Sequence, residues 1–487
     1  MALVHTFRMP HLGALGQLAT ATVLIALSVR AIHATQIDDP IPERIRKGDI
    51  VIAAEQFVRA PKTSDSVTGP TTTAVHARIQ YLVPVGDGSG RLALNDTRGL
   101  VYLTDERGKT PTTFLDIRDQ NVGFDDSMFV NEAGLVSVAF HPQFGQEGTP
   151  GFGKFYTAYS ATSDSGVADY LDDDAESHES VVREWTAIDP SAGVFMGSSR
   201  EVFRIGEFAP NHNIGRLAFN PHAESGSPDH GMLYVCIGDG GYAHDPRDYS
   251  QSLEIPHGAI IRIDPLAADG ARGYGIPPDN PFVGRDDAAP EIWAYGLRHP
   301  QHFSWDTDGR MFIADIGQNQ VEEVNLGAAG ANYGWRLREG TFATGHAVGA
   351  ATGPVYPRPS QDDEFVYPVA QYDHDEGTAI GGGFVYRGQA IPELRGKYVF
   401  ADFPRGRLFV IDADEIDPTR PNEITEVRLV IDGREQDLVD VSGIPNPYGA
   451  DAVDRVDLRL GIDSAGELYL LTKSDGWVRK LAPATPR

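Results

Sequence analysis

Six times along this 487-residue chain the same short pattern recurs: an apolar run, a turn containing Gly and usually Asp or Asn, then a second apolar or aromatic run. The copies span residues 90–104, 134–158, 215–236, 302–314, 384–400 and 458–471. Each reads as two β-strands joined by a turn, and units recurring at roughly 40 to 85 residues are what a β-propeller produces. The expected fold is therefore all-β: a six-bladed β-propeller with insertions between strands and little helix. Blades bury their apolar faces on each other, so the repeat implies one large domain although the length alone suggests several. Loops at the strand ends converge on one mouth of the channel, so chemically useful residues far apart in sequence become neighbours.

The domain reading follows from this frame. Residues 1–34 read as an export signal, with Arg8, an apolar stretch over 12–29 and the small residues Ala31 and Ala34. A retained anchor is the alternative for that stretch, and no other segment is long and apolar enough to span a bilayer. A spacer over 35–49 and the propeller over 50–487 follow, with the apolar run Ile50 to Val58 expected to close the ring by pairing with the last blade. Connections at about 160–180, 267–290 and 338–370 read as insertions without cores of their own. The mature chain is expected to be periplasmic or secreted.

Charge excludes one class of partner. The formal net charge is −28, a field that repels nucleic acid and anionic membrane surfaces and attracts cations. The densest acidic run, Asp169, Asp172, Asp173, Asp174 and Glu176, matches no calcium-ligand spacing and reads as a solvated loop. The single cysteine, Cys236, offers no intrachain disulfide and lies in an apolar strand, as an inert thiol does.

Candidate chemistry sits at strand ends. His212 immediately precedes one blade strand, and the hairpin returns through residues 233–237 to Gly238-Asp239, which brings Asp239 back toward the histidine. An imidazole held by a carboxylate is the usual arrangement of a general base near neutral pH. Arg298 precedes the fourth copy and suits recognition of a carboxylate or phosphate, while Gly317 follows that copy and lets carbonyls approach a cation. Asn332-Tyr333-Gly334-Trp335 reads as packing of a turn against the sheet, with a sugar-binding platform as the alternative.

These motifs, taken in order, resemble the glucose/sorbosone dehydrogenase family: His212-x-x-Gly215-Arg216-Leu217, Gly238-Asp239, Gly296-Leu297-Arg298-x-Pro300-Gln301, Asn332-Tyr333-Gly334-Trp335 and Val385-Tyr386-Arg387-Gly388. Gly134-Leu135-Val136 with Ala139-Phe140-His141-Pro142-Gln143-Phe144 matches its second-blade signature. The resemblance implies an exported six-bladed propeller that oxidises an aldose or related sugar hydroxyl with pyrroloquinoline quinone (PQQ) and calcium, passing electrons to an external acceptor. It makes His212 the general base, Asp239 the carboxylate that orients it, and Arg298 the arginine beside the quinone. The Gly317 and Gln318 carbonyls become the calcium holders. Further candidate cofactor contacts are His299, Glu132, His244, Arg405 and Arg407.

The chain departs from the family pattern at several of these places. His299 stands where the sugar oxidases carry Asn, and Gln318 where they carry Pro. The segment 402–407 lacks the lysine that grips the cofactor, so Arg405 or Arg407 is the expected substitute. No Trp precedes Gly381-Gly382-Gly383, and Arg455 and Arg459 reproduce the last blade's paired arginines in an altered register. Two other readings stand beside the oxidoreductase: a non-catalytic binding propeller like the family's hedgehog-interacting relatives, and a calcium-dependent propeller of the lactonase type.

Overall fold

The computed structural model describes residues 35–63, 75–127, 132–170, 178–268, 272–360, 364–445 and 454–484. The expected signal over 1–34 lies outside the described residues, as does most of the acidic run. Within them, four sheets are complete four-stranded units, running over Ile79–Asp116, Leu135–Glu207, Ile214–Tyr295 and His302–Asp373. They are blades one to four. Blades five and six share one larger sheet, with strands Ile380–Val385, Lys397–Asp402, Arg407–Asp412 and Thr425–Ile431 in the fifth and Leu458–Ile462, Leu468–Thr472 and Trp477–Pro483 in the sixth. The first strands of successive blades touch one another around a closed ring, the first blade meeting both the second and the sixth.

The ring closes through the N-terminal run. Arg46–Arg59 pairs antiparallel with Trp477–Pro483 as the outer strand of blade six, and also pairs parallel with Thr425–Ile431 of blade five. The strand starts at Arg46 rather than Ile50, because Arg46 and Lys47 already pair with Thr425 and Glu426. It thereby covers two edges that would otherwise offer unpaired backbone groups.

The core is not a single lump. Apolar clusters lie between neighbouring blades: Val136, Tyr156 and Val182 of blade two meet Leu217, Val235 and Ile261 of blade three, and Tyr102 and Leu94 of blade one meet Tyr469 and Leu471 of blade six. This is why the chain needs the repeat: one blade alone exposes both faces, and each face is buried only by a neighbour. Five of the six sequence copies fall on the first two strands of their blades. The first falls on Arg91–Asp96 and Leu100–Asp105, the second and third strands, since Ile79–Pro84 precedes it across the turn Gly86-Asp87-Gly88-Ser89-Gly90.

The insertion over 338–370 is not structureless: it holds a small sheet of Arg338–Glu339, Phe342–Thr344 and Val355–Tyr356. The insertion within blade three packs Phe282 and Ala289 on Ala259 and Ile292. Cys236 is fully buried and burial pushes its thiol up to about 12, so it stays protonated and inert. No helix among the described residues is long and apolar enough to cross a membrane.

Candidate active site

His212 lies two residues before Ile214–Phe219, the first strand of blade three, and Asp239 two residues after Leu233–Ile237, the second. The turn is tight because Gly238 has no side chain: a Cβ there would lie 2.1 Å from the His212 carbonyl oxygen. His212 itself has φ of 58°, a left-handed conformation that a non-glycine residue keeps only where its surroundings enforce it. Its backbone N–H donates to Glu132 Oε2 at 2.7 Å, and its Nδ1 meets Asp239 Oδ1 at 2.6 Å. The first contact holds the backbone of His212 and the second its ring.

The tautomer follows from the partners. Arg298 Nη2 lies 3.0 Å from His212 Nε2, and a guanidinium can only donate, so Nε2 accepts and Nδ1 carries the proton to Asp239. Burial, reinforced by the Arg298 charge, holds His212 well below its ordinary value, which keeps the imidazole neutral. Asp239 is completely buried and its carboxyl is pushed up to about 6, although Arg298, the Gly241 N–H and the Trp335 ring N–H all favour its anion. Glu132 is likewise raised to about 6, chiefly by burial.

Arg298 is fixed by the backbone of blade four. Nη1 donates to the Ile316 and Gly317 carbonyls at 2.9 and 2.7 Å, and Nε donates to Gln318 Oε1 at 3.2 Å. The Trp335 ring lies 5.7 Å from the guanidinium and donates through Nε1 to Asp239 Oδ2 at 2.9 Å. The expectation for the Asn332–Trp335 motif is thus half corrected. Tyr333 packs, its hydroxyl donating to the Leu326 carbonyl, whereas Trp335 braces both Asp239 and Arg298. Proximity along the chain could not distinguish the two rings, since they differ only in which side of Gly334 they occupy.

His299 belongs to the same group. Its ring lies 4.9 Å from that of His212, its Nδ1 is 3.7 Å from Glu132 Oε2, and burial keeps it neutral. His244 sits at the rim, where its backbone N–H donates to Gln318 Oε1 at 2.8 Å. The Gly317 carbonyl gives one lone pair to Arg298, and the Gln318 side chain bridges Arg298 to the His244 backbone. Arg405 and Arg407 lie at the same end of blade five but outside this network. Arg405 donates to the Glu376 carbonyl at 3.3 Å. Arg407 is paired with Glu376 and Glu426 at 2.8 and 2.6 Å, so two carboxylates already face its guanidinium.

Two further buried basic side chains come from blade six. Arg459 is buried at 3% exposure, stacks on the Phe403 ring at 4.0 Å and donates to Gln301 Oε1 at 3.3 Å, with no carboxylate in ion-pair range among the described residues. Lys473 is buried at 4% exposure, and burial together with the Arg459 charge holds its amine well below the usual lysine value. A lone lysine after an apolar strand carries no sequence signal of its own; only the ring geometry brings Lys473 toward Arg459 and Arg78. The neighbouring Arg455 is instead paired with Asp457.

A ring of sheets with a buried imidazole–carboxylate pair and a fixed guanidinium at one mouth defines a β-propeller with one built candidate site. The chain belongs to the glucose/sorbosone dehydrogenase family, whose model matches residues 84–441. Among curated relatives, it is 29% identical to HIPL1 protein of Arabidopsis thaliana, over 83% of this chain and 61% of that protein, and 30% identical to HIPL2 protein over 65% and 49%. The chain therefore spans about half to three-fifths of these relatives. It is also 23% identical to aldose sugar dehydrogenase YliI of Escherichia coli, over 74% of this chain and 80% of that one. The fold matches the apo-form of the soluble aldose sugar dehydrogenase from Escherichia coli with a TM-score of 0.59 at 19% identity, covering 89% of this chain and 99% of that one. The PQQ-bound aldose sugar dehydrogenase from Streptomyces coelicolor matches at 0.55 and 20%, covering 88% and 97%.

Proposed function

We propose that this chain is a quinoprotein that oxidises an aldose or related sugar hydroxyl, with PQQ as cofactor and an external electron acceptor. One observation carries the reading. Arg298, Arg459 and Lys473 are buried at one mouth without a carboxylate in ion-pair range among the described residues, in a chain of net charge −28. Unpaired buried cations are costly, and a polyanionic ligand such as a tricarboxylate removes that cost. The donor set thus fits the cofactor despite the absent lysine in segment 402–407.

Arg298, Arg459 and Lys473 would hold the cofactor's charged groups, and the Gly317 and Gln318 carbonyls would hold calcium. Bound together, these groups supply a hydride acceptor with a polarised carbonyl. The chain supplies the rest. His212 Nε2 is the ring nitrogen with a lone pair, and the sugar hydroxyl takes the place of the Arg298 N–H upon it. His212 then removes the hydroxyl proton, while Asp239 receives the Nδ1–H hydrogen bond and stabilises the imidazolium that forms. Freed from Nε2, the guanidinium faces the negative charge that develops at the acceptor. Trp335 keeps Asp239 and Arg298 aligned.

An export signal over 1–34 and a spacer reduced to 35–45 complete this reading and place the mature chain in the periplasm or outside the cell. The test is reconstitution: purified protein is titrated with PQQ and calcium, then assayed on aldoses with an artificial acceptor. A saturable cofactor absorbance with acceptor reduction supports the proposal. Absence of both leaves the binding-module reading, to which the similarity with Hedgehog-interacting protein of Mus musculus, 26% identical over 65% of this chain, adds weight.

A further inference from the structure

The channel has a second cavity at its other mouth. It has a volume of about 570 Å³, and all six blades line it, from Val83 in blade one to Ile462 in blade six. Much of the wall is apolar or aromatic, including Val138, Phe219, Trp305 and Phe384. Arg216, only 8% exposed, also lines it. The guanidinium makes one side-chain hydrogen bond, from Nη1 to His302 Nε2 at 2.6 Å, and its buried Nε has no partner. Because a guanidinium cannot accept, His302 is the neutral acceptor in that pair.

No carboxylate among the described residues compensates Arg216. The ionisable groups that act on its charge are Tyr81, Cys236 and Tyr398, all protonated at neutral pH. The rings of Tyr81 and Phe384 lie 5.2 Å from it, which returns part of the cost of burying the charge. The acids at the cavity wall are already engaged. Asp306 pairs with Arg310 and Arg387, and Asp463 accepts from the Tyr469 hydroxyl. A space of about 10 Å³ lined by Tyr81, Glu132, His299 and Gln301 lies on the His212 side, and none of these residues lines the far cavity.

We infer that the far cavity binds a small organic carboxylate with an aromatic or apolar body. The carboxylate takes the Nε and Nη2 edge of Arg216, which makes no other hydrogen bond, as a two-pronged pair. The body packs among Phe219, Trp305 and Phe384. This site is independent of the redox proposal and does not require the cofactor.

Benzoate serves as the probe and benzyl alcohol as its neutral counterpart, with calorimetry and tryptophan fluorescence on the full chain as readouts. Benzoate is expected to bind saturably below about 10 mM and the alcohol at least about tenfold more weakly. Arg216→Met is expected to weaken benzoate at least about tenfold. Should that variant fail to fold, Ala465→Trp, which fills the exposed rim and leaves the guanidinium in place, must abolish binding. Lys473→Met, at the other mouth, must leave benzoate binding unchanged. Absence of benzoate binding, equal binding by Arg216→Met or Ala465→Trp, or loss of binding in Lys473→Met overturns the inference.

Discussion

At His212 three separate stretches of chain meet: its own strand end, the carboxylate of Asp239 and the guanidinium of Arg298. The sign of its pH response follows from these neighbours. The proposed reaction requires neutral His212 and ionised Asp239; burial lowers the first group's proton affinity and raises the second's to about 6. The acid limb of kcat/KM is therefore set by Asp239, with activity lost as pH falls through about 6, and a kinetic pH profile checks it. Asp239→Asn should leave thermal stability nearly unchanged, since it removes a buried charge while keeping the volume. Its kcat should fall about 10²- to 10⁴-fold because the amide does not enforce the Nδ1–H tautomer. Lys473 gives a test without turnover: its amine is held well below the usual value by burial, so PQQ binding should be accompanied by proton uptake. Calorimetry in buffers of differing ionisation enthalpy measures that uptake, which should vanish in Lys473→Met.

The strand Arg46–Arg59 shows what an element contributes when its partners lie at both ends of the repeat. Ile52 on it is fully buried against both blades it joins, and Ile52→Ala should cost about 2–5 kcal/mol, read as a lowered denaturation midpoint. Elements were also where the sequence spoke most clearly. Continuous apolar runs marked the first two strands of five blades because those strands are buried on both sides, and the motif at His212 and Asp239 was legible because one hairpin places them together. Lys473 and Arg459 were not legible as buried neighbours. Their meaning depends on which strand ends face the channel, a property of ring closure rather than of local pattern. Nor was the pairing of Arg407 legible: Glu376 lies in the turn after Ala370–Asp373 and Glu426 on Thr425–Ile431.

For the molecule as a whole, the charge of −28 governs what approaches it. With a cationic acceptor such as hexaammineruthenium(III), the second-order rate should fall as salt is added; with anionic ferricyanide it should rise. Stopped-flow measurements at several ionic strengths distinguish the two, and equal slopes would remove long-range steering from the account. The junction of Arg46–Arg59 with Trp477–Pro483 has a temporal consequence too. A ribosome releases Arg46–Arg59 long before Trp477–Pro483, so the ring cannot close until the later strand has been made. Until then the early segment has no antiparallel mate, and the ring stays open.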